Sequence, residues 1–203
     1  MVPPRGKPGV WVMTMLVLGL ILFLGTHSVS IAADPWRNAT AARVGETTWK
    51  LGYAVLSGVG LWLIIAGYGA ARLDPVVLWY PPTWTRHLAA TLMLPMFVLL
   101  LAAYLPGRIK TAAKHPMLVA VKLWATAHLI ANGTLADVLL FGSFLAWAVF
   151  DRISLKRRAS RPLPVTLTGS ARNDAIAVMG GLALYGLFAA WAHLALIGVS
   201  PFG

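Results

Sequence analysis

The chain has 203 residues, of which 59% are hydrophobic and only 11% are Asp, Glu, Lys or Arg; soluble domains run at roughly 45–50% and about 25%. So few charges cannot cover a domain in water, and a bilayer is the expected solvent. The chain has no cysteine, which excludes disulfides, zinc–thiolate and iron–sulfur sites, thiol catalysis and covalent haem attachment. The net charge of +11 is, in a membrane protein, first a topology signal.

Stretches free of charged residues mark the spans, each long enough for the roughly 20 residues that cross about 30 Å of hydrocarbon. The first covers residues 10–33. Arg5 and Lys7, the apolar run and Ser30-Ile31-Ala32 imitate a secretory signal peptide. The run is longer than a signal's apolar region, so it is expected to remain as a span; cleavage would remove His27. The second span covers residues 51–71, where Gly58, Gly60, Gly67 and Gly69 read as helix-packing glycines. Residues 74–85 form a Pro- and Trp-rich loop, and Trp79, Tyr80 and Trp84 suit a membrane interface. The third span covers residues 87–106.

Residues 115–150 are apolar but too long for one helix. The turn dipeptide Asn132-Gly133 divides them, and Thr134 with Asp137 reads as a capping box that opens a new helix. Two short antiparallel spans are therefore predicted, 116–131 and 134–150. A basic segment, 151–173, precedes the last span, 175–198, whose Gly180, Gly181 and Gly186 again read as packing glycines. The expected fold is a single all-α transmembrane domain, a polytopic bundle of about six helices.

The loops after spans 1, 3 and 5 hold twelve of the Lys and Arg residues, against four on the other side. The positive-inside rule makes the first set cytoplasmic and puts both termini outside, in a bacterial inner membrane. The basic segment suits an anchor against anionic lipid. It has no fold to aim base contacts, so nucleic acid is not an expected partner.

Ionisable groups inside a membrane are functional suspects. All five histidines, His27, His87, His115, His128 and His193, fall in or at the edge of a span. Trp124, His128 and Asn132 share one helix face at a spacing of four, a face suited to a planar ligand. The plainer reading makes each histidine a hydrogen-bond partner between helices. A haem held by His27 and His128 is permitted by their depths and not required. Lys122 is close enough to the cytoplasmic face to snorkel, and Asp137 is expected to cap. The sole Glu, Glu46, lies in a loop, and no hydrolase constellation or phosphate loop is present.

The segments FLGTHS (23–28), WTRH (84–87), KHPM (114–117), KLWATAHLIANG (122–133) and FDR (150–152) resemble the NnrU family. These are bacterial integral membrane proteins linked to nitrite and nitric oxide reduction, and related to the haem b-binding 15-cis-zeta-carotene isomerases. The resemblance implies haem b with His27 and His128 as axial ligands of the iron, and matches His87 and His115 to further histidines. The chain departs from the isomerases at Gly142-Ser143, where they carry a histidine pair, and lacks their charged helix after FDR. A remoter likeness to membrane methyltransferases stops at Lys114-His115-Pro116. The acidic residues those enzymes need after the last spans are missing, so methyl transfer is not expected.

Three readings result. The chain is a haem sensor or accessory factor of nitric oxide or nitrite metabolism (denitrification), in which a gas displaces an axial histidine. Alternatively it is a haem-dependent isomerase of a lipid-soluble polyene. The third is an assembly factor of the membrane without a cofactor.

Overall fold

The computed structural model describes residues 10–158 and 169–202. Arg5, Lys7, Arg161 and the middle of the predicted basic segment lie outside the described residues. The described residues are helical, with no strand beyond one isolated bridge between Val77 and Thr134. They divide into two compact units, residues 10–79 with 134–158, and residues 80–133 with 169–202.

The first unit contains α1 (Val10–Ala32), α2 (Asp34–Val44), α3 (Glu46–Ala71) and α7 (Leu135–Ser154). α1 and α3 are antiparallel and pack backbone to backbone. A Cβ on Gly19 would stand 2.6 Å from the Ile64 nitrogen, and one on Gly60 2.8 Å from the Phe23 nitrogen. Gly67 meets Leu16 in the same way. Small residues at such a seam let two membrane helices approach closely, which recovers dispersion energy that lipid would otherwise supply. Only half of the predicted packing glycines of this helix do this. Gly58 and Gly69 have open space where a Cβ would go, because Gly60 and Gly67, seven residues apart, form the stripe and the other two face away.

α2 corrects the sequence reading, which left residues 34–50 as a loop. Its short polar sequence has no apolar period to betray it. Pro35 in its first turn fixes a helical φ without losing a hydrogen bond. Gly45, at φ 87°, turns the chain into α3, a conformation that suits glycine. Arg37 lies over the Trp49 ring at 5.5 Å and bonds Glu46 at 3.4 Å. α3 therefore starts at Glu46, five residues before the charge-free stretch.

The predicted capping box is present. The Thr134 hydroxyl accepts from the Asp137 N–H at 3.2 Å, and the Asp137 carboxylate accepts from the Thr134 N–H at 2.9 Å. Tyr68 of α3 donates to the other Asp137 oxygen at 2.6 Å. The loop after α3 docks here too, through Leu135 N–H to the Val76 carbonyl at 2.8 Å. At the far end of α7, Asp151 pairs with Arg158. Phe23 meets Phe144 while His27 meets Trp147, so α1 and α7 run parallel.

The second unit contains α4 (Trp84–Ala102), α5 (Arg108–Ala113), α6 (Pro116–Ala131), α8 (Ala171–Leu187), a π-helical turn (Phe188–Ala192) and α9 (His193–Ile197). Its core is Met96, Phe97 and Ala120, with Trp124, Tyr185 and Phe188 packed against them. Gly181 admits the backbone of Val98, where a Cβ would come within 2.6 Å, and Gly180 admits Leu101. Gly186 faces open space, contrary to the sequence reading. The last helix begins at Ala171, not residue 175. Ser170 caps it by accepting from Asn173 N–H, and Asp174 turns aside to accept from the N–H groups of Arg108 (2.8 Å) and Ile109 (3.1 Å). That side-chain clamp makes the short α5, another element hidden from the sequence, and explains why a charged turn is helical.

Four helical segments are long and apolar enough to cross a bilayer: Met13–Ala32, Glu46–Ala71, Trp84–Ala102 and Ala171–Ile197. α6 matches its predicted bounds but has 16 residues, about 24 Å. α7 has 20 residues and carries Asp137, Asp151 and Arg152. The outer surfaces of these helices are apolar: Ile21, Leu51, Trp62, Ile65 and Met179 are each more than 60% exposed. Such a surface belongs against lipid. The chain is a polytopic helical membrane protein.

Candidate functional site

The described residues contain no group of three or more His, Asp or Glu able to hold a metal ion. The candidates are individual imidazoles, and two of the five are tethered alike to the carbonyl four residues back.

His27 lies five residues before the end of α1. Its Nδ1 is 2.8 Å from the Phe23 carbonyl one turn back. A carbonyl can only accept, so Nδ1 carries a proton, and the neutral ring offers its lone pair at Nε2. The ring stacks on Phe23, centroids 4.2 Å apart. Tyr53 of α3 lies at 5.1 Å and Trp147 of α7 stands perpendicular at 5.9 Å. Three helices of the first unit thus enclose this imidazole in aromatic rings.

His128 lies three residues before the end of α6. Its Nδ1 donates to the Trp124 carbonyl at 2.8 Å, and the Trp124 ring lies at 5.5 Å. The arrangement repeats that of His27: an aromatic residue four positions back offers its carbonyl to fix the tautomer and its ring to hold the imidazole. Asn132 has its amide committed to the His128 carbonyl at 2.9 Å. It takes an extended conformation as the C-cap of α6. Its role in the structure is to end the helix.

The remaining histidines stand elsewhere. His115 precedes α6 as its N-cap, held out of the helix by Pro116. It is 13 residues, about 20 Å, along α6 from His128, so the two do not share a site. His87 is exposed in the first turn of α4. His193 donates from Nδ1 to the Val199 carbonyl at 2.7 Å and closes the C-terminal turn. Lys122 is half-buried on α6. Asp137 is fully engaged by Thr134 and Tyr68, which makes it a structural group.

Sequence reasoning missed Tyr53, Ser57 and Trp147. Phe23 and His27 are legible as a pair at a spacing of four, but Tyr53 and Trp147 reach His27 only through tertiary packing. Ser57 Oγ and Trp147 Nε1 are buried without a hydrogen-bond partner.

A sequence model of the NnrU family, described as NnrU protein, matches residues 15–201, nearly the whole chain. No curated protein and no solved structure matches.

Proposed function

The chain belongs to the NnrU family, and from that premise we propose that it binds haem b in a bacterial inner membrane and serves nitric oxide or nitrite metabolism as a sensor or accessory factor. The observation that carries this reading is the matched tethering of His27 and His128. An axial haem ligand is a neutral imidazole that offers Nε2 while Nδ1–H is engaged by a backbone oxygen; that engagement orients the ring and raises its basicity. His193 donates from Nδ1 as well, but to a carbonyl six residues ahead in the C-terminal turn; the i−4 tether beside an aromatic ring is shared by His27 and His128. The lining at His27 is also right in kind, since Phe23, Tyr53 and Trp147 give an apolar, flat-walled surround. On the family resemblance, His27 and His128 are the residues that would hold the iron. When bound, haem would supply an iron that can exchange an axial ligand for a gas. The chain's part is to fix the tautomer, exclude water and hold each imidazole on a rigid helix.

The test is the absorption spectrum of the detergent-purified protein, oxidised and dithionite-reduced, beside His27→Ala and His128→Ala. The expected result is a haem b spectrum in the parent that changes its ligation or disappears in each variant. His115→Ala and His193→Ala are expected to leave it intact. Nitric oxide is expected to shift the reduced spectrum. A response to a cis-carotenoid instead would move the reading to polyene isomerisation. A folded parent with no Soret band, even with haem supplied during expression, would leave the cofactor-free assembly factor.

The proposed orientation has the loops after α1, α4 and α7 in the cytoplasm and both termini outside. Charge asymmetry supports it. The parallel run of α1 and α7 supports placing the loops after these two helices on the same side. The chain has no cysteine, so single cysteines report cleanly. Tyr80→Cys is expected to react with an impermeant maleimide on intact spheroplasts, and Thr47→Cys only after permeabilisation. The reverse pattern would invert the orientation.

A further inference from the structure

Among the described residues, three buried polar side-chain atoms have no hydrogen-bond partner: Ser57 Oγ, Trp147 Nε1 and Arg158 Nε. All three can donate, and Trp147 Nε1 and Arg158 Nε can only donate. All three belong to the first unit, and all lie toward the end of that unit that holds His27. Trp147 touches the His27 ring directly. Ser57 stands one turn before Gly60 on α3, and Gly60 abuts the Phe23 backbone. In an antiparallel pair this puts Ser57 level with Thr26 and His27. Arg158 is tied to Asp151, one turn beyond Trp147 on α7.

Buried donors are nearly always paired, because an unmade bond carries the full cost of desolvation. Three such donors toward the His27 end of one unit, one of them on a ring that touches His27, call for an acceptor, and the described residues place none within their reach. We infer that Trp147, Ser57 and Arg158 form a carboxylate-binding corner beside His27, which holds a peripheral propionate of the haem. This rests on the haem reading above. A porphyrin of the b type brings two carboxylates and otherwise an apolar rim, so they are the acceptors these donors can meet. Depth agrees. Carboxylates are costly in hydrocarbon, and Trp147 lies one turn from the charged pair that ends the apolar part of α7. Trp147 is on this view a positioning residue: it acts on the cofactor's orientation and retention, not on iron ligation.

The experiment reconstitutes the full-length apoprotein with ferric haem b and, separately, with its dimethyl ester, and measures affinity. Trp147→Phe keeps an aromatic ring and removes the N–H. It is expected to weaken the diacid by about tenfold, the scale of a hydrogen bond to a charged group, and to change the diester by much less. Ser57→Ala, which hardly alters volume, is expected to act in the same direction and less strongly. An equal loss for both porphyrins would mean that Trp147 only packs. No loss for either would mean that a water satisfies the donors. Each of those results overturns the inference while the haem reading stands. A parent protein that takes up neither porphyrin overturns both.

Discussion

Alanine at Gly60 and alanine at Gly58 are expected to have effects of opposite sign, although the change is chemically identical and only two residues apart. At Gly60 the new methyl would lie 2.8 Å from the Phe23 nitrogen and 3.0 Å from its Cα. These are backbone atoms and cannot rotate away, so α1 and α3 must separate. Overpacking of this kind costs about 1–3 kcal/mol. At Gly58 there is open space, and replacing glycine within a helix gains up to about 1 kcal/mol. Gly67→Ala and Gly69→Ala form a second such pair, since Gly67 meets Leu16 and Gly69 meets nothing. Thermal unfolding in detergent measures all four. The two destabilised variants are expected to differ in the site. Gly60 abuts the residue that holds His27, both through its carbonyl and through its stacked ring. On the proposed haem reading, Gly60→Ala should therefore also weaken haem retention, whereas Gly67→Ala, about two turns further from His27, should cost stability with the haem spectrum unchanged. If all four variants unfold alike, the α1–α3 seam is not where the structure puts it.

The four long apolar helices were legible in the sequence because they depend on the absence of charge, which is a local property. The boundaries of α6 and the capping box of α7 were legible for a related reason: Pro116, Asn132-Gly133 and the Thr134–Asp137 spacing each act within one turn. What escaped were features that depend on a partner distant in the chain. α5 follows from the Asp174 carboxylate, which lies 65 residues from one of the N–H groups it accepts from. α3 and α8 extend beyond their charge-free stretches because their terminal charges are used: Glu46 by Arg37 and Lys50, Asp174 by the start of α5. The glycines divided in the same way, since sequence shows that a glycine is present but not which face meets a neighbour. At the site, the spacing of His27 from Phe23 and of His128 from Trp124 was visible, but its consequence was not. That each imidazole is tied through Nδ1 to the carbonyl one turn back is a matter of rotamer. Tyr53, Ser57 and Trp147 carry no sequence signal of proximity to His27.

The second large effect is expected at Asp137, where Asp137→Ala should cost about 2–4 kcal/mol. Asp137 is 4% exposed and accepts from the Thr134 backbone, the Thr134 hydroxyl and Tyr68. Losing the cap accounts for about 1 kcal/mol, and the remainder comes from stranding Thr134 and Tyr68 as donors without an acceptor. Asp137→Asn retains an acceptor oxygen and should cost roughly half as much. Tyr68→Phe removes the donor together with its need for a partner and should cost about 1 kcal/mol. Because the two groups share one bond, the double variant Tyr68→Phe with Asp137→Ala should cost less than the sum of the two single changes. Strict additivity would mean that the Tyr68–Asp137 bond contributes nothing. The position of the bond makes it matter more than its energy suggests. It ties the end of α3 to the start of α7, while Tyr53 and Trp147 meet at His27 at the other ends of the same two helices. Freeing one end of that pair lets the far end splay, so Asp137→Ala should also loosen the aromatic surround of His27. On the proposed haem reading, faster haem loss in that variant, with His27 and His128 both intact, would show that the capping carboxylate holds the surround of His27 together from the opposite end of the helix pair.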